Sequence, residues 1–226
     1  MKGRTVSAVL GLLLLGCAAA AAQPIPVRGI SVAAGRVNFS YTGNVEGGLR
    51  YDYQGPVVTA VYRQPSLFAT TTVGTGSPVL LDVALSGWVP LRMLDVQRRG
   101  LRVPVIVSLG HLRVLPGGAE RWDATRFGLG LGVQWEPPDT GFTLRVNPLL
   151  SMVTSSLATG YGFAAGAEAD AALVVAELHP GWHLELGYTF RYQVWNINPP
   201  KFVDDEVDRY FDYRSLMHFA RAGLLF

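Results

Sequence analysis

The chain of 226 residues has a single cysteine, Cys17, and it lies in an N-terminal leader. A mature protein without thiols has no disulfide framework and no thiolate metal site, so its stability must rest on packing and backbone pairing. Charge is also scarce: 16% of residues are Asp, Glu, Lys or Arg, and the formal net charge is +2. There is no basic tract, which removes the electrostatic footprint of a nucleic-acid binder. Beyond the leader, no stretch reaches the roughly 18 uncharged apolar residues that a membrane-spanning helix needs. Gly, Pro, Asn and Asp interrupt the chain at short intervals, so long helices of any kind have little room.

The leader has the grammar of a secretory signal. Lys2 and Arg4 supply positive charge, Val9 to Leu15 an apolar core, and Ala20-Ala21-Ala22 before Gln23 a small-residue cleavage site. This predicts a signal over residues 1–22 and one domain over 23–226. Leu14-Leu15-Gly16-Cys17 resembles a lipoprotein cleavage box, and processing there would instead leave a lipidated Cys17 at the terminus.

The whole chain is 49% hydrophobic with 26 glycines, and beyond the leader its apolar residues fall in period-two runs, the pattern of strands with one apolar face. Trp182, Leu184, Leu186, Tyr188, Phe190, Tyr192 and Val194 alternate with His183, Glu185, Gly187, Thr189, Arg191 and Gln193. The preceding run sets Phe163, Ala165, Ala167, Ala169, Ala171, Leu173 and Val175 against Gly166, Glu168 and Asp170. The two meet at His179-Pro180-Gly181, which predicts a hairpin. Phe127, Leu129, Leu131, Val133 and Trp135 follow the same rule, and the small residues Gly128, Gly130 and Gly132 on the other face read as relief from crowding, not as a phosphate cradle. Runs of about ten residues or more exceed ordinary globular strands and match what a tilted bilayer-spanning strand requires. Trp88, Trp135, Trp182 and Trp195 near strand ends suggest interfacial girdles.

Read this way, the chain is all-β, with ten strands near residues 29–42, 48–63, 66–74, 78–93, 101–115, 124–136, 141–155, 161–178, 181–196 and 213–226. An eight-strand count arises if the segments between Gly48 and Gly74, broken by Pro56 and Pro65, merge. Strands that face hydrocarbon cannot leave an edge unpaired, so the sheet must close. The expected fold is a closed antiparallel up-and-down transmembrane β-barrel. With both termini on the periplasmic side, the shorter turns fall inside and the longest connection, 196–212, outside. A soluble ligand-enclosing barrel is the alternative, but it would turn the apolar rows inward and Glu168, Asp170, Glu185 and Arg191 outward.

The chain ends Phe219-Ala220-Arg221-Ala222-Gly223-Leu224-Leu225-Phe226, with Ala220, Ala222, Leu224 and Phe226 on one face. This resembles the terminal signature of bacterial outer-membrane β-barrel proteins; His218 departs from it, since the same parity calls for an apolar residue. The resemblance implies residence in the outer membrane among its lipids, escort by periplasmic chaperones and recognition by the barrel assembly machinery. It identifies no subfamily.

Lumen-facing parity collects Asp82, Arg126, Arg145, Glu168, Asp170, Glu185, Arg191 and Arg221, a set in which opposite charges balance. In a narrow barrel such residues form a paired network that fills the interior or line a narrow polar passage for small solutes. Nucleophilic catalysis would need a hydroxyl beside a base. Ser108 with His111, and Ser215 with His218, have opposite parity, and His183 with Glu185 has no serine beside it. No catalytic residue, metal site or cofactor follows. An embedded lipid-modifying enzyme and a surface-binding module built on residues 196–213 are the competing classes. In that loop Asp204, Asp205, Glu206 and Asp208 form an acidic cluster, whose spacing matches no calcium loop and reads as a solvated surface.

Overall fold

The computed structural model describes residues 28–44, 51–91, 100–115, 122–156, 160–198 and 210–226. The expected leader with Cys17 and the acidic cluster Asp204, Asp205, Glu206 and Asp208 lie outside the described residues. Every regular element described is a strand: β1 (Gly29–Tyr41), β2 (Tyr53–Gln64), β3 (Leu67–Gly74), β4 (Val79–Pro90), β5 (Leu101–Arg102), β6 (Pro104–Leu115), β7 (Trp122–Leu131), β8 (Val133–Trp135), β9 (Phe142–Ser155), β10 (Tyr161–His179), β11 (Trp182–Asn198) and β12 (Phe211–Leu225).

These twelve strands form ten staves. β5 and β6 are one stave parted at Val103; β7 and β8 are another parted at Gly132. Pro104 has no N–H to give to the ladder, and the Gly132 N–H instead donates to the Pro104 carbonyl at 2.8 Å. Pairing then resumes between β5 and β8 at Leu101↔Trp135. Each stave pairs antiparallel with its neighbours in sequence, and β1 pairs β12 from Gly29↔Leu225 to Tyr41↔Tyr213. The barrel is closed. β2 and β3 are separate staves, joined by a tight turn at Pro65-Ser66 and paired from Val57↔Gly74 to Gln64↔Leu67, so the eight-strand count falls. The β10–β11 hairpin turns on Pro180-Gly181, with Gly181 at φ 81°, the left-handed position that a turn with proline before glycine requires. The ends carrying Pro65-Ser66 and Pro180-Gly181 form the turn end; the opposite end is the loop end.

The pleat sends alternate side chains in and out. On β9, Leu150 and Met152 are 61% and 66% exposed, whereas Ser151 and Val153 are buried. Large apolar side chains thus cover the outside, while Arg145 on the same strand, Asp170 on β10 and Glu185 and Arg191 on β11 are buried inside, the reverse of a soluble barrel.

The tryptophans divide differently from the girdle expectation. Trp135 and Trp182 face outward at the turn end, in ring contact with Phe142 and the terminal Phe226 respectively. Trp88 and Trp195 face the lumen and are buried. Trp195 has the parity of Arg191 and Gln193, not of Trp182, and on a period-two element parity outranks nearness to a strand end.

Candidate functional site: the filled lumen

Two layers occupy the interior. At the loop end, inward positions of β1, β7, β11 and β12 bring together Phe39, Trp122, Trp195 and Tyr213. Phe39 stacks on Tyr213 with centroids 4.7 Å apart and on Trp122 at 4.9 Å. Trp195 meets Trp122 edge-on at 6.0 Å, within the range of favourable aromatic pairs. Leu80, Leu112, Val114 and Met217 pack around them, all out of reach of water. The Trp122 indole N–H donates to the Ser155 hydroxyl at 2.8 Å, which satisfies its polar edge.

Toward the turn end the lumen becomes ionic. Asp82 accepts from Arg126 Nη2 and Arg191 Nη1, each at 2.9 Å. Arg191 also donates from Nε to Glu168 at 2.8 Å, its direct cross-strand partner on β10. Asp170 takes both terminal nitrogens of Arg221 and the Thr189 hydroxyl. Arg221 continues to Glu185 at 3.1 Å, and Glu185 to Arg63 Nη2 at 2.8 Å. Arg126 lies 5.3 Å from the Trp195 ring centroid, a cation–π contact that joins the two layers.

Glycine makes the space. A Cβ on Gly110 would stand 2.6 Å from Arg126 Nε, and one on Gly187 2.9 Å from the Arg221 guanidinium. The inward glycines of β7 act likewise: a Cβ on Gly128 would meet Ser151 Oγ at 2.5 Å. Cavities left along the network hold about 10 and 20 Å³, room for single waters.

All seven lumen residues read from the sequence, Asp82, Arg126, Arg145, Glu168, Asp170, Glu185 and Arg191, point inward, and Arg221 joins them. The expected balance of charge does not hold. Among the described residues, Arg63, buried on β2, is a fifth lumen arginine against the four carboxylates Asp82, Glu168, Asp170 and Glu185. Its parity with Val57 and Val61 was the available signal, masked by Pro56 and Pro65 on a strand without clean alternation. Arg145 stands apart from the network, its guanidinium 4.7 Å from the Trp88 ring centroid. The aromatic layer was also missed: Phe39, Trp122 and Tyr213 are inward by parity, but the run containing Trp122 starts two residues earlier than the pattern suggests. Ser108 and Ser215 are buried inside, while His111 and His218 face outward, so neither pair meets.

No protein-family model and no curated protein matches the sequence. Among solved structures, the chain is similar to Neisserial surface protein A, with 11% identity, a TM-score of 0.38, and 90% of this chain and 100% of that one covered. It is also similar to the outer membrane protease OmpT from Escherichia coli, with 10% identity, TM-score 0.39 and 91% and 99% covered. For the outer membrane protein OprG from Pseudomonas aeruginosa the values are 8%, 0.32, and 90% and 98%. These are bacterial outer-membrane β-barrel proteins. At this degree of likeness, the closed barrel stands on the chain's own strand pairing.

Proposed function

We propose that this chain is a small outer-membrane barrel with a sealed lumen, a structural element of the membrane and not a passage for solutes. The observation that carries this reading is the Phe39–Trp122–Tyr213 stack, fully enclosed, with the Asp82–Arg191 pair beneath it. A hydrated conduit would leave such side chains in contact with water. Exposed rows such as Leu129, Leu131, Leu150 and Met152 support residence in hydrocarbon, where each backbone group must find a partner within the sheet. The outward row Ala220, Ala222 and Leu224 on β12 supports the same residence in hydrocarbon, and assembly by the barrel machinery after chaperone escort belongs to this reading.

The test has two parts. Outer-membrane recovery with different gel mobility in boiled and unboiled samples is expected; a soluble periplasmic protein with one mobility would sink the membrane reading. Reconstituted into planar bilayers, the folded chain is expected to carry no steady ion current; discrete conductance steps would instead favour the narrow passage.

A further inference from the structure

Among the described residues, Arg145 is the one lumen arginine that Asp82, Glu168, Asp170 and Glu185 leave without a hydrogen bond. It is 7% exposed, and its Nε and Nη1 meet no acceptor. The carboxylate paired with it, Glu136 on the turn after β8, stands 3.8 Å away, beyond hydrogen-bond length. Glu136 is drawn elsewhere: Gln134 donates to it at 2.7 Å and Arg102 lies 3.6 Å off. Arg63 Nη1, on the same cavity wall, is also buried without an acceptor. Burying a guanidinium without acceptors is costly, so any anion that supplies them is favoured.

A space is present where such an anion would sit. At the turn end, Arg63, Arg145, Glu136, Thr143 and Glu185 line a cavity of about 150 Å³, large enough for a small oxyanion with some of its water. Glu185 is held by Arg63 and Arg221, and Asp139, at the rim, is exposed to solvent. Glu136 is therefore the carboxylate that competes for Arg145.

We propose that this cavity binds a small soluble oxyanion, a carboxylate or phosphate, between Arg145 and Arg63, with Glu136 as the resident competitor that the ligand displaces. Lipid does not reach this space, because it opens inside the ring of staves. The site goes beyond the sealed-barrel reading and needs only the lumen geometry.

The test uses the full chain refolded in zwitterionic detergent and titrated with inorganic phosphate, then acetate, at constant ionic strength. Tryptophan emission is the readout, since Trp88 lies against Arg145. A saturable change is expected, absent in Arg145→Met and unchanged in Arg113→Met, whose side chain faces outward at the loop end. Glu136→Gln is expected to tighten binding by ~2–5-fold, the scale of a half-exposed charge pair. A response that never saturates, survives in Arg145→Met or fails to tighten in Glu136→Gln overturns the proposal. Should Arg145→Met not fold, the half-exposed Glu136→Gln decides alone.

Discussion

Arg191 on β11 reaches Asp82 on β4 across the full width of the barrel, Nη1 to Oδ2 at 2.9 Å. The two strands are five staves apart in a ring of ten, so the pair is a strut between opposite walls. Arg126 on β7 shares the same carboxylate. One aspartate therefore holds two buried cations from two walls, and the geometry of the lumen depends on its charge.

Asp82→Asn is expected to destabilise the folded barrel by about 3–5 kcal/mol, because it leaves Arg126 and Arg191 buried with half their compensation. Reversible urea unfolding in lipid vesicles measures this. Asp139→Asn, at an exposed turn, serves as the control and is expected to change stability by less than about 0.5 kcal/mol. Equal stability of Asp82→Asn and the parent would mean that the strut is not formed.

Gly110 tests the same network through volume instead of charge. Gly110→Ala places a methyl where Arg126 Nε now lies 2.6 Å away, so the guanidinium must move off Asp82. A loss of about 1–3 kcal/mol is expected. Combined with Asp82→Asn, the two effects are expected to add to less than their sum, since both act on one contact. Strict additivity in a double-mutant cycle would show that the glycine acts on something else.

The outer surface makes a separate prediction. Leu150 faces outward on β9 at 61% exposure. If that face meets hydrocarbon, Leu150→Arg costs about 2–4 kcal/mol near the bilayer midplane, whereas on a water-facing surface it is nearly neutral. Unfolding free energies in vesicles separate the two outcomes.

What could be read from the chain and what could not follows from the kind of information a strand pattern holds. That Glu168 and Arg191 share the lumen face of adjacent staves was within reach, because alternation fixes the face and the Pro180-Gly181 hairpin makes β10 and β11 neighbours, although register shifts between Val174 and Ala176 and between Glu177 and His179 keep their exact pairing from being counted off the turn. The pairing of Arg191 with Asp82 was not. Parity says that both point inward, but neither their height along the axis nor which walls face one another across the ring. Trp195 failed for a different reason: position near a strand end suggested the membrane interface, and parity pointed to the lumen. Phe39 and Tyr213 carried the same ambiguity. Arg63 was lost because Pro56 and Pro65 made the segment look irregular, while the structure fits Pro56 on the outward side of β2 and Pro65 in the turn.

The aromatic layer and the ionic strut close the lumen in series, which makes removal of either one informative. Trp122→Ala removes a fully buried indole that stacks on Phe39 and Tyr213, and about 3–5 kcal/mol of stability is expected to go with it. Conductance is nevertheless expected to stay at the background level, because Arg191 and Asp82 still span the barrel below the new cavity. Combining Trp122→Ala with Arg191→Ala opens both barriers, and ion flow then becomes possible if the variant folds, as judged by its unboiled gel mobility. Current through the Trp122→Ala single variant would mean that the aromatic layer alone is the seal and that the charge network beneath it admits a hydrated path.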